Sequence, residues 1–225
     1  MSDLSSSREH ADQSFIGKDF SQQDLSDQLF ERCNFSGCSF RGANLSGCEF
    51  LQCEFNAEAS DDPADLSHAR LRETRFERCN LTVVPLNHCQ AYGAEFKRCQ
   101  LQGADFSKSD FRLPVGDSDL VALTISDSNL SFANLSHNYL QGAELAGSRM
   151  LECALDYCDL SGANLQGCEL HGISAVGVTL TDADLRGAAF SQLDPRQVDL
   201  SGIKIYQSQA WTLLDALGVI VEQDP

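Results

Sequence analysis

Large apolar residues recur at every fifth position along most of this chain. From Phe15 the series runs Phe20, Leu25, Phe30, Phe35, Phe40, Leu45, Phe50 and Phe55. It shifts phase by one to Leu66, Leu71, Phe76, Leu81 and Leu86, then continues through Phe96, Leu101, Phe106 and Phe111. After a second break it reads as resuming at Leu120 and Ile125. It then runs at fives from Leu130 through Met150 to Leu170, and on to Leu180, Leu185, Phe190, Leu200 and Ile205. Twelve of the thirteen Phe lie on this register; the exception is Phe132.

A period of five fits neither a helix at 3.6 nor a strand at 2. Each unit must be one short segment plus a turn, stacked as a solenoid. Fourteen of the sixteen Gly fall two residues after a central position, where the backbone must turn. Small side chains such as Ala43, Ala104, Ala133, Ala163 and Ala183 fall two residues before it. One large and one small inward residue per unit would fill a narrow core.

The ten cysteines all share the small inward register: Cys33, Cys38, Cys48, Cys53, Cys79, Cys89, Cys99, Cys153, Cys158 and Cys168. There Cys acts as a small buried hydrophobe. Successive units face different sides of a coil, so Cys33-x4-Cys38 and Cys153-x4-Cys158 do not converge as a zinc site requires. No metal or cofactor is expected. Many buried thiols without a signal sequence fit a reducing cytosol, and no apolar run approaches the ~18 residues of a membrane span.

Catalytic signals are absent. No phosphate loop, HExxH or GxSxG occurs. His68, His88, His137 and His171 fall at outward positions. Acids recur one residue before the centre, as at Asp19, Asp24, Glu49, Glu54, Asp105, Asp110, Asp159, Glu169, Asp184 and Asp199, so paired carboxylates say little about acid–base chemistry. With 16 Lys plus Arg against 33 Asp plus Glu, the net charge is −17. That excludes direct nucleic-acid binding through neutralised phosphates and points to a basic partner.

Two insertions break the register: residues 56–65, with Glu58, Asp61 and Asp62, and residues 112–122, with Arg112, Leu113, Pro114, Val115 and Asp117. Loops on a rigid scaffold are frequent carriers of function, so these eight residues are the candidate partner-binding set. Residues 1–14 read as a loose, flexible N-terminus. From Gln207 the period is lost; Trp211, Leu214 and Leu217 have helical spacing, Gly218 suits a C-cap, and Val219–Val221 reads as a short strand. This tail caps the solenoid or forms a dimer interface through Trp211, Leu213, Leu214 and Leu217. Pro85 and Pro195 are expected at bent or bulged corners.

Units such as Ala43-Asn44-Leu45-Ser46-Gly47 and Ala163-Asn164-Leu165-Gln166-Gly167 follow the pattern A(D/N)LSG. Over roughly residues 15–205 the chain resembles the pentapeptide-repeat family, which implies an all-β, right-handed quadrilateral β-helix with four units per coil. About 37 units then make about nine coils, a rod of about 43 Å at the ~4.8 Å spacing of stacked strands. Duplex DNA of that length carries about 25 charges, so the rod has about two-thirds of its linear charge density.

A closer resemblance is to the Qnr branch of that family. It rests on the stretches 93–111 (GAEFKRCQLQGADFSKSDF) and 128–136 (SNLSFANLS), the tail 193–219, and the placement of the two loops. It implies a non-catalytic, cytoplasmic homodimer that mimics DNA, binds DNA gyrase and topoisomerase IV and protects them from quinolones. Two other classes are compatible with the same body: immunity against another topoisomerase poison, and a passive interaction scaffold.

Overall fold

The computed structural model describes residues 7–57, 62–115, 118–191 and 193–220. The five-residue units wind into a right-handed quadrilateral β-helix. Its first face carries six strands in parallel: β1 (Glu9–Ala11), β2 (Leu29–Glu31), β3 (Glu49–Leu51), β4 (Arg75–Glu77), β5 (Ala94–Lys97) and, after the second insertion, β8 (Leu123–Ser126). Between β5 and β8 lie β6 (Arg112–Val115) and β7 (Ser118–Val121), which form a separate antiparallel pair. The other units contribute isolated parallel bridges.

Stacked partners are twenty residues apart, as at Phe30↔Phe50. The offset becomes 26 across the first insertion, at Phe50↔Phe76, and 29 across the second, at Phe96↔Ile125. The insertions therefore add six and nine residues, and the same four columns continue on both sides. The first face holds His10, Phe30, Phe50, Phe76, Phe96 and Ile125; the second starts at Phe15, the third at Phe20 and the fourth at Leu25.

The central Phe and Leu form one buried cluster along the axis. Phe30, Phe50, Phe76 and Phe96 stack ring on ring at 4.8–5.0 Å. All ten cysteines are free and buried on the small register. Nine of the ten thiols, all but Cys153, donate to a carbonyl of the preceding coil: Cys48 Sγ to Leu25 O at 2.9 Å and Cys158 Sγ to Leu135 O at 2.9 Å. Thr74, Ser109 and Ser148 make the equivalent bond to Leu45 O, Leu86 O and Ile125 O. A small polar side chain is tolerated inside because its proton has this acceptor.

The structure corrects several expectations. Residues 9–11 are not loose: β1 pairs with β2, and His10 fills the first central position, stacked on Phe30 at 5.0 Å. An imidazole ring continues the aromatic column that a search for apolar residues misses. Leu120 is not central; it lies in β7, half exposed, and the register resumes at Ile125. Pro85 causes no bulge. It keeps its bridge to Asp105 and accepts from Leu66 N, losing only the bond its missing N–H would make. Pro195 does sit in an irregular turn, where Gln197 N and Val198 N donate to Asp194 O, and Leu193 fills the core nearby. Val219 and Ile220 form no strand.

Candidate partner-binding surface

Part of the rod's charge sits on the turns of the repeat. Asp and Asn one residue before a centre accept from the backbone N–H two residues on: Ser21 N to Asp19, Ser107 N to Asp105 and Ser161 N to Asp159, but also Ser36 N to Asn34 and Ser46 N to Asn44. These Asx turns fold equally with either side chain, so the carboxylates add charge that the fold does not require. Hydrogen bonds from Ser hold Asp19, Asp24 and Asp199 below the usual carboxylate range. The Arg186 guanidinium holds Asp184 down at about 2.

The charge is uneven along the axis. Through residue 115 the chain has 12 Lys and Arg against 18 acids; beyond it, 4 against 15. In the first part Arg32 pairs with Asp12, Arg75 with Glu77 and Lys97 with Glu95. In the second, among the described residues, no Lys or Arg pairs with Asp127, Glu144, Glu152, Asp156, Asp159, Asp182 or Asp199. These acids do not form one face; they ring the C-terminal coils.

The first insertion leaves the corner between the second and third faces. Ala57 N turns aside to Ser36 Oγ, while Asn56 Nδ2 binds Thr82 O, the acceptor that the coil's own backbone would use. Ala64 N returns to Phe55 O at 2.7 Å. Of the predicted loop residues, Asp62 is exposed, whereas Glu58 and Asp61 lie outside the described residues.

The second insertion leaves the corner between the fourth and first faces. It is the β6–β7 hairpin, with Leu113 opposite Leu120 and Pro114 opposite Asp119. Ala122 N closes its base on Phe111 O. Arg112 Nε donates to Asp110 Oδ1 at 2.8 Å, and its guanidinium lies 4.7 Å from the Tyr139 ring centroid. Val115 and Leu120 are exposed, Leu113 is half-buried, and Asp117 lies outside the described residues. The two insertions therefore occupy diagonally opposite edges, two coils apart.

At the C-terminal end, α1 (Gln207–Ala216) covers the last coil. Gln209, which the sequence did not single out, is the plug. Its Nε2 donates to Leu185 O and Ala188 O, and its Oε1 accepts from Gly187 N and Tyr206 N. Gly218, at φ 75°, ends the helix: Gly218 N reaches Asp215 O and Val219 N reaches Leu214 O, a Schellman motif. Leu213 packs inward and Leu214 is half-buried. Trp211, Leu217, Val219 and Ile220 remain exposed on the monomer.

No three His, Cys, Asp or Glu converge on a metal-sized site among the described residues, and no helix there is long and apolar enough to cross a membrane.

Comparison with known proteins agrees with this geometry. The family described as pentapeptide repeats matches residues 19–56, 64–82, 86–112, 128–172 and 158–202. Two curated relatives are 31% identical: the quinolone resistance pentapeptide repeat protein QnrB96 of Scandinavium goeteborgense, over 39% of this chain and 41% of that protein, and the pentapeptide repeat protein QnrB4 of Escherichia coli, over 43% and 46%. Those matches span less than half of each relative. The solved structure of full-length QnrB1, a plasmid-mediated fluoroquinolone resistance protein, superposes with a TM-score of 0.89 at 30% identity, covering 94% of this chain and all of that one. The chain belongs to the pentapeptide-repeat family, on its Qnr branch.

Proposed function

We propose that this protein is a non-catalytic DNA mimic that binds DNA gyrase and topoisomerase IV in the cytoplasm and protects them from quinolones. The observation that carries the reading is the end-to-end likeness to a fluoroquinolone resistance protein. Two features support it. The coils from residue 123 to 205 carry 10 acids against 4 bases, some of them, such as Asp159, on turns that would fold as well with Asn. Insertions on opposite edges suit a concave partner, because a flat surface meets only one edge of a rod. Trp211, Leu214 and Leu217 pair two copies, which brings the two acidic ends together into one charged body.

The test has two parts. Expression in a quinolone-susceptible bacterium should raise the ciprofloxacin concentration needed to stop growth. Purified protein should bind gyrase and topoisomerase IV with an affinity that falls as salt rises. Unchanged susceptibility with no binding to either enzyme overturns the proposal.

A further inference from the structure

The corner of the first insertion carries an apolar anchor that the repeat itself does not need. Going down this edge, the stacked residues are Gly17, Gly37, Ala57, Val83, Gly103, Phe132 and Glu152. Every one of these but Ala57 takes positive φ, and along the rod the corner is filled by Gly or by a polar or charged side chain such as Gln22, Asp27 or His68. Val83 adopts φ 54° and Phe132 φ 63°. For a β-branched or bulky side chain this is a strained conformation. Among the described residues Val83 is the only β-branched one with positive φ. Neither side chain gains burial in return: Val83 is 51% exposed and Phe132 61%. Phe132 is also the one Phe that the core register does not use.

The two stand two coils apart on this edge, with only Gly103 between them. Val83 Cγ1 leans across the glycine between them, 3.0 Å from where a Cβ on Gly103 would stand. Thr82, Pro85, Gln102 and Ser131 around them are uncharged. Beyond these stand mostly carboxylates: Asp62 beside Gly37, Glu54 on the second face, Asp105 on the third and Glu152 below Phe132, with Arg149, paired to Glu169, the one cation on the second face below Asn129. An apolar centre inside an acidic rim is complementary to a protein pocket that is apolar at its floor and basic at its rim.

We propose that Val83 and Phe132 form a partner-binding edge continuous with the first insertion, and that they insert into such a pocket. The proposal rests on the topoisomerase reading for the identity of the partner. The strain is retained because these side chains act in the complex and not in the fold.

The test uses the full-length chain with Val83→Gly and Phe132→Gly together, and a second variant with Val83→Asn and Phe132→Asn. Both replacements suit positive φ, so thermal unfolding should be unchanged or higher. Gyrase affinity should fall at least tenfold for both, at low and high salt alike, because the lost contact is apolar. Tyr157→Gly, an exposed aromatic with φ 58° on a different corner, serves as the control and should bind like wild type. Wild-type affinity in both double variants, with wild type itself binding, overturns the edge and leaves the topoisomerase reading intact. An equal loss in Tyr157→Gly overturns the edge as a specific anchor. Absence of wild-type binding overturns both.

Discussion

Arg112 at the base of the hairpin lays its guanidinium over the ring of Tyr139, one coil further along the rod. A second bond, from Arg112 Nε to Asp110, fixes the same guanidinium from the other side. The hairpin is thus oriented against the rigid body, with Val115 and Leu120 exposed. An exposed cation–π contact contributes about 0.5–1 kcal/mol. Tyr139→Ala should therefore lower the melting temperature by no more than about 2–4 °C. Hydrogen exchange in β6 and β7 should quicken, and drug protection of gyrase should weaken. An unchanged exchange rate in the hairpin would show that Tyr139 does not hold it.

Leu165 is 1% exposed in the core of the C-terminal coils. Leu165→Asp places a carboxylate there with no cationic partner, a change in the exceptional range above about 4 kcal/mol. Because each repeat contacts only its neighbours, the coils around residues 145–185 should unfold first. Limited proteolysis checks this: cleavage should concentrate in that stretch, and a protease-resistant variant would contradict the register.

Burial raises most of the cysteine thiols, Cys38, Cys158 and Cys168 to about 11 and Cys48 and Cys89 to about 12, whereas a hydrogen bond with Cys79 lowers Cys53 and Cys99. A thiol whose folded pKa is raised contributes stability that is complete below its unfolded pKa, about 8.5, and lost as pH rises through the folded value. Alkaline unfolding should therefore set in between about pH 9 and 12. Asp184 works in the opposite direction. Its lowered pKa contributes stability above about 3.9 that is lost as pH falls toward about 2. A thiol reagent at pH 8 should modify none of the ten cysteines in the native protein within minutes and all ten after denaturation. Rapid native labelling would contradict their burial.

Trp211 on α1 and Leu217 at its C-cap stand exposed with Val219 and Ile220, while Gln209 and Leu213 hold the helix to the last coil. Trp211→Asp with Leu217→Asp should yield a folded monomer where wild type sediments at twice the chain mass. Truncation after Tyr206 is a harsher change: it also removes the Gln209 plug and should expose a coil edge to aggregation. A wild type that sediments as a monomer at micromolar concentration would refute the pairing.

The five-residue period makes the fold legible in the sequence, because one large and one small residue must point inward in every unit. It also marked Phe132 as a Phe outside the core. Three features were hidden for physical reasons. His10 completes an aromatic column with a polar ring. Leu120 sits on the period by coincidence while pairing with Leu113 in a hairpin. Gln209 works through backbone groups that carry no residue identity. The insertions were legible as breaks, but their placement on opposite edges follows only once each break is assigned to a face of the coil.

The central claim is protection of a topoisomerase by a rod bearing specific contacts, and the hairpin allows it to be separated from charge alone. Phe111 and Ile125 are nine residues further apart than one unit requires. Deleting residues 113–121, with Ala122→Gly at the new corner, restores the pentad and leaves the fold and most of the charge in place. Supercoiling by gyrase is measured at a fixed inhibitory concentration of ciprofloxacin, with wild type and with this deletion. Wild type should restore supercoiling, and the deletion should fail to restore it while melting at the same temperature. No restoration by wild type at any concentration would contradict the account.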